Sequence, residues 1–221
     1  MKILALEFSS AHRGVAVIGP GPDSGPALLG PTDVIDDDRM SGMAQVSDTL
    51  RKCGVAREEI GAIAVGLGPG SYTGIRAAIA MAQGWQLARN IPSIGLASTD
   101  CLAAQIHAAG GRGRLRLAID AQRLEYYLAG YLLDETGPSL AIPLRLASAA
   151  DVTAGLAEGE RLLGPGLARR FPGAADAYPD AAWLGRLAWS RRCFTPADQL
   201  EPIYLRPASF VKAPPPRSIR L

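Results

Sequence analysis

An α/β fold with two mixed sheets flanked by helices is what this sequence predicts, and three observations carry the prediction. Short apolar runs of strand length alternate with stretches of helical periodicity. Glycine, proline and asparagine mark the breaks between them. The order of three strands, helix, strand, helix then occurs twice, without obvious repetition of sequence. At 221 residues the chain can bury a core as one large domain or two small ones, and its 48% hydrophobic and 20% charged content is that of a globular protein.

Lys2–Phe8 is rich in Ile, Leu and Ala and reads as a buried strand ending at Ser9-Ser10. Gly14–Gly19 is apolar and bounded by Gly and Pro, a second strand hairpinned to the first. A loop over Pro20–Pro26 leads to a weaker strand within Ala27–Ile35. Asp36-Asp37-Asp38 supplies acids ahead of a helix starting near Ser41, where the positive end of the helix dipole favours them. Met43, Val46 and Leu50 share one face of that helix. Gly61–Leu67 is a near-continuous apolar run, as a central parallel strand should be. After a glycine turn a second helix runs to about Arg89, Ser93–Leu96 is a short strand, and Ser98 or Thr99 caps a third helix that stops at Gly110-Gly111.

The second half repeats the order. Leu115–Asp120, Glu125–Leu133 and Leu140–Leu146 read as strands, Ala149–Glu158 as a helix and Arg161–Gly164 as a strand. Among the helical segments that follow, Ala181–Cys193 is the clearest, with Leu184, Leu187 and Ala188 on one face. A duplicated three-strand meander with right-handed crossovers is the arrangement of the actin, Hsp70 and sugar-kinase (ASKHA) superfamily. The expected division is an N-terminal domain over 1–110, a smaller C-terminal domain over 111–206 and an extended or disordered tail over 207–221. The superfamily usually binds ATP between its halves, but fold does not fix function.

Net charge is +2, so the chain as a whole offers no strong field to a nucleic acid, and any RNA contact must be local or made by a partner. Cys53, Cys101 and Cys193 match neither a disulfide framework nor a metal cluster, as free thiols in a reducing compartment would be. Ile3–Leu6 is too short for the apolar region of a signal peptide, and no stretch is long enough to span a bilayer. The cytoplasm is therefore the expected location.

The turn Gly66-Leu67-Gly68-Pro69-Gly70-Ser71-Tyr72-Thr73-Gly74-Ile75 joins a strand to a helix and admits two physical readings. Its N–H groups at the helix N-terminus can bind an anion. Alternatively Gly68 and Gly70 only supply positive φ, while Thr73 caps the helix. No Lys-Ser or Lys-Thr pair follows, so it is not a P-loop, and the spacing misses the dinucleotide fingerprint.

As a string, Val65–Arg76 closely resembles the signature of the TsaB (YeaZ) family. Ile3–Glu7 resembles that family's opening strand, and Ile91-Pro92 with Ser98-Thr99 fits the stretch after the signature helix. Asp120–Tyr127 is similar to its Asp-Ala-Arg-Arg-Gly-Glu-Val-Tyr motif, and Pro202–Arg206 to its C-terminal Pro-x-Tyr-Leu-Arg. The resemblance implies a non-catalytic scaffold and activator in the bacterial assembly that makes N6-threonylcarbamoyladenosine at position 37 of tRNA. It implies pairing with a TsaD-type transferase and a TsaE-type ATPase, a homodimer when alone, and tRNA contact only within the complex. It also implies that this subunit needs no cofactor, with ATP, Mg²⁺ and metal held by the partner subunits.

The residues agree that catalysis lies elsewhere. His12 and His107 are the only histidines, and no metal or nucleophile–base constellation can be assembled for the peptidase chemistry once ascribed to relatives. Superfamily members place an acid at the end of the first strand near Mg²⁺-bound phosphates. The TsaB family usually has Asp-Thr-Ser there, whereas this chain has Glu7-Phe8-Ser9, which marks Glu7, and Asp120 as its counterpart, as degenerate nucleotide-site acids. The alternative reading is a small ATP-binding protein or kinase of the same fold acting alone.

The helix from Thr73 to Arg89 carries one apolar set of Ile75, Ala78, Ile79, Ala82 and Trp85, and a second of Ala77, Met81, Gly84 and Ala88. Arg76, Gln83, Gln86 and Asn90 form a narrow polar stripe. Two apolar faces require cover on both sides, either by the helix over Ser41–Cys53 or by a partner. The expected partner and dimer interface is Met43, Ala77, Met81, Gly84, Trp85 and Ala88, and the signature residues with possible anion contact are Gly68, Gly70, Ser71, Thr73 and Gly74. Many relatives have His-Ser where this chain has Met40-Ser41, which makes that edge more apolar. The tail from Pro207, with its prolines and scattered positive charge, reads as solvated or as a contact for tRNA phosphates.

Overall fold

In a computed structural model, residues 1–35 and 42–205 are described, except for the side chain of Ile35. The acids Asp36–Asp38, the Met40-Ser41 pair and the tail over 207–221 lie outside the described residues. In chain order the first half is β1 (Lys2–Glu7), β2 (Arg13–Pro20), β3 (Pro26–Leu28), β4 (Asp33–Ile35), α1 (Gly42–Lys52), β5 (Ile60–Gly66), α2 (Tyr72–Arg89), β6 (Ser93–Leu96) and α3 (Ser98–Ala108). The second half is β7 (Gly113–Asp120), β8 (Glu125–Asp134), β9 (Gly137–Ser148), α4 (Ala149–Thr153), β10 (Arg161–Gly164), β11 (Ala175–Asp176) and α5 (Ala181–Arg191).

The first sheet runs β3-β2-β1-β5-β6, with β4 also paired to β2, and the second runs β9-β8-β7-β10-β11. In each, the opening meander is antiparallel and the strands reached by crossover are parallel. The same topology made twice is the ASKHA-like arrangement that the element order predicts. Among the described residues, no helix is long and apolar enough to cross a membrane.

Both faces of the first sheet are covered, which is why β1 and β5 are almost wholly apolar. Leu4, Leu6, Val15, Val17, Ile63 and Val65 pack under α1 and α2. Ile3, Ala5, Ala16, Ile18, Ala62 and Ala64 pack on α5, which comes from the other half of the chain. Reciprocally, Leu102 and Ala103 of α3 cover Leu115, Leu117, Tyr131 and Leu133 of the second sheet. A cut between Gly110 and Gly111 therefore separates the sheets but not their cores.

Three local differences from the sequence reading have physical causes. The strand expected within Ala27–Ile35 is two short strands, both on β2. Helix α4 ends at Thr153 rather than Glu158, because the carbonyls of Val152 and Ala154 turn toward the buried guanidinium of Arg116. That guanidinium is also paired with the buried Glu160 at 2.9 Å. Ser98 opens α3 without capping it, since its hydroxyl is bonded elsewhere.

Candidate functional site

The glycine turn wraps the end of β1. A Cβ on Gly66 would stand 2.0 Å from Glu7 Oε2, on Gly70 2.0 Å from the Ser9 carbonyl oxygen, and on Gly74 2.0 Å from the Phe8 carbonyl oxygen. The four-residue glycine spacing thus answers to three consecutive residues at the strand end. The Gly68–Pro69 peptide is cis, and Gly68 has φ +86°.

Three of the turn's donors point inward. Gly68 N–H donates to Ser98 Oγ at 3.2 Å, Ser71 N–H to the Ser9 carbonyl at 2.7 Å and Gly74 N–H to Ser71 Oγ at 3.3 Å. An anion cradle would need those groups, so Gly68, Ser71 and Gly74 are occupied in holding the turn. The helix cap is Ser71 rather than Thr73, because Ser71 is kept in a non-helical conformation by its bond to Ser9 and its hydroxyl reaches Gly74. Thr73 is exposed in the first turn of α2.

Glu7 is fully buried. Its Oε1 accepts from Ser9 N–H at 2.9 Å, and its Oε2 accepts from Ser98 Oγ–H at 2.9 Å. The side chain bolts β1 to the start of α3 and faces no solvent in which a phosphate-bound ion would sit. Asp120 is placed differently. Its Oδ1 accepts from Gln122 N–H at 2.8 Å, and its Oδ2 pairs with Arg170 at 2.8 Å. It pins a turn in which Gln122, Arg123 and Leu124 all have positive φ, a conformation that non-glycine residues seldom adopt. The two acids share no bonding partner.

Burial pushes the Glu7 carboxyl above the ordinary carboxylate range, against the bonds from Ser9 and Ser98 that pull it down, and Asp180 adds a smaller upward push. A group that holds its proton more tightly when folded contributes its full stability below its unfolded pKa, near 4.5, and loses it as pH rises through the folded value. Glu7→Gln, neutral throughout, should therefore gain stability relative to the wild type between about pH 5 and about pH 8. Urea midpoints at the two pH values measure this, and a constant difference would refute it.

On α2 the structure divides the expected interface. Ala77, Gly84 and Ala88 are exposed, as is Met43 on α1. Met81 is half-buried, its sulfur 3.1 Å from where a Cβ on Gly42 would stand. Trp85 is a correction. It packs in the core beneath the helix with Ile75, Ala78 and Ala82, and offers no surface to a partner. The polar stripe is used internally too. Gln83 donates to the Ala197 carbonyl at 3.4 Å, and Gln86 accepts from Ala197 N–H, so the segment before the C-terminal motif is strapped along the helix. Between this strap and α1, the open ridge consists of Ala77, Ala80, Gly84, Leu87 and Ala88. Leu87 is 90% exposed, the largest such value among the exposed large apolar side chains, and helical spacing overlooks it because it belongs to neither apolar set.

The histidines lie apart from one another. His12 stacks on Tyr178 at 3.6 Å, beside a cleft of about 400 Å³ between the halves, and His107 Nε2 meets the Asp134 carbonyl at 2.7 Å. Among the described residues no three His, Cys, Asp or Glu side chains converge as a metal site requires.

Over 137 residues, 62% of this chain and 58% of the relative, it is 35% identical to the tRNA threonylcarbamoyladenosine biosynthesis protein TsaB of Escherichia coli. It is 28% identical to the TsaB of Bacillus subtilis over 59% of this chain and 55% of that one. The matches thus span less than two thirds of either relative's length. A family model described as TsaD, tRNA N6-adenosine threonylcarbamoyltransferase, matches residues 39–172, more than half of the chain. The chain belongs to this family, as one of its TsaB (YeaZ) members. YeaZ from Pseudomonas aeruginosa superposes with a TM-score of 0.74 at 27% identity, covering 92% of this chain and all of that one. A P. aeruginosa protein with similarity to the peptidase YeaZ gives 0.75 at 29% identity, covering 93% and 99%. The TsaB resemblance read from the string at Val65–Arg76 is therefore correct.

Proposed function

We propose that this chain is a non-catalytic scaffold and activator in the biosynthesis of N6-threonylcarbamoyladenosine in tRNA. In this reading it pairs with a TsaD-type transferase, joined by a TsaE-type ATPase, and forms a homodimer when alone. The observation that carries the reading is the open ridge of α2. Small side chains at Ala77, Ala80, Gly84 and Ala88 let a second helix approach closely, while Leu87 and Met43 supply apolar area at its margins. The same ridge serves both associations, so a partner displaces the second copy.

Catalysis belongs to the partners, which hold ATP, Mg²⁺ and metal, and this subunit requires no cofactor. The buried and bonded Glu7 supports that division, because the acid that would face nucleotide phosphates in this fold is turned inward. The work is cytoplasmic, and tRNA is met within the complex.

Mixing the purified chain with the transferase and ATPase of the same source tests this directly. Threonylcarbamoyl transfer to tRNA should depend on the chain, and an equal rate without it would refute the proposal. Titration with Mg-ATP alone separates the kinase reading, which requires micromolar binding by the isolated chain.

A further inference from the structure

A relay of side chains runs from the C-terminal motif to the edge of the docking ridge. Ile203 N–H donates to the Leu67 carbonyl at 2.9 Å, which lays Pro202–Tyr204 along the signature turn. Tyr204 then stacks against Tyr72, the first residue of α2, with ring centroids 5.4 Å apart and planes 24° from parallel. Tyr72 in turn holds Arg76, whose guanidinium donates to the Tyr72 hydroxyl at 2.7 Å and lies 5.1 Å from its ring centroid. Arg76 is exposed, and among the described residues no carboxylate pairs with it. Tyr72, Arg76 and Ala80 follow one another at four-residue steps, so the arginine abuts the open ridge of α2. A guanidinium carries its N–H donors in a rigid fork, and Tyr72 orders that fork before any partner arrives.

Charge separates the two occupants proposed for the ridge. A second copy brings its own α1 and α2. Helix α2 contains no Asp or Glu, and the one acid of α1, Asp48, pairs with Arg51 at 3.2 Å. Neither helix of a second copy therefore has an unpaired carboxylate for Arg76. Closing an interface over an arginine without a carboxylate costs desolvation that no ion pair returns. A different subunit is under no such limit, and Tyr and Arg are the side chains on which interface energy concentrates. We infer that Arg76, held in place by Tyr72 and Tyr204, selects the transferase over a second copy, meeting a carboxylate of that subunit while an apolar side chain of it lies on the tyrosine rings. Tyr72 is 56% exposed and Tyr204 41%, so ring surface is open to such a contact. Selection of this kind presupposes the proposed pairing with the transferase and explains why that subunit displaces the second copy.

Sedimentation of the full chain reads self-association, and titration with the transferase of the same source reads the pairing. Arg76→Gln should weaken the pairing roughly tenfold or more and leave self-association unchanged or tighter. Raising salt from about 0.05 M to about 0.5 M should weaken the wild-type pairing, and the pairing of the variant should depend on salt less. Tyr204→Ala, which frees Tyr72 and Arg76, should lose part of the pairing, and Tyr204→Phe, which keeps the ring, should restore it. Equal loss in both associations, or no loss in the pairing, overturns the selection. So does an Arg76→Gln protein that pairs normally while the assembled complex no longer binds tRNA, which would make the arginine an RNA contact. A wild type that stays monomeric has no second copy to displace and removes the selection too. A wild type that never pairs with the transferase removes the proposed function as well. One that pairs, beside an Arg76→Gln protein that pairs equally, removes the selection alone.

Discussion

Gly70→Ala is expected to destabilise the fold by about 3 kcal/mol or more, a large share of the roughly 5–15 kcal/mol that holds a typical domain folded. Two independent costs combine. The new Cβ would stand 2.0 Å from the Ser9 carbonyl oxygen, a backbone atom that cannot rotate away. The position also has φ +150°, which side-chain-bearing residues rarely adopt. Relief by moving the turn would break the Ser71 N–H bond to that same carbonyl. Urea unfolding of the purified variant measures the loss. Gly84→Ala is the control, because nothing lies within 4 Å of its Cβ and alanine is the better helix former by about 1 kcal/mol. A Gly70→Ala protein as stable as the wild type would mean that the turn is not clamped on β1.

Gly84→Arg should abolish self-association and pairing with the transferase, weakening each by roughly a hundredfold or more, while the monomer stays folded. The position is exposed at the centre of the ridge, with open space beyond it, so a long cation meets no obstacle until a partner helix arrives. Met81→Asp is a poorer probe, because its half-buried side chain touches the core near Phe8 and Gly42 and folding would suffer too. Sedimentation reads the homodimer, and co-elution reads the transferase pair. A Gly84→Arg protein that still dimerises would locate the interface elsewhere.

Most of the element order, the parallel core strand and the limits of α2 are legible in the sequence, because each depends on local periodicity and on Gly, Pro and Asn breaks, whereas the split of β3 from β4 and the two-residue β11 are too short to leave a pattern. What escaped it depends on the third dimension. Helical spacing separates two apolar sets on α2 but cannot say where the sheet lies, so it leaves Trp85, at the border of the buried arc, in the expected interface. Spacing overlooks Leu87 because it belongs to neither set. Ser98 has the chemistry of a cap, yet Glu7, distant in sequence, claims its hydroxyl. Nothing in the neighbourhood of Arg116 announces that it folds the end of α4 around itself. Glu7 was correctly placed at a strand end, but its inward orientation follows from Gly66, which lacks the side chain that would have excluded it.

The exchange of α3 and α5 between the sheets sets a schedule for synthesis. As the chain leaves the ribosome, the first sheet can be complete once Leu96 has emerged. The face made by Ile3, Ala5, Ala16, Ile18, Ala62 and Ala64 nevertheless has little cover beyond Cys101 of α3 until α5 follows, about 85 residues later. The N-terminal half cannot finish folding during translation and let the second half follow. It waits with a bare apolar face, a target for chaperones, and both halves close together when the last helix arrives.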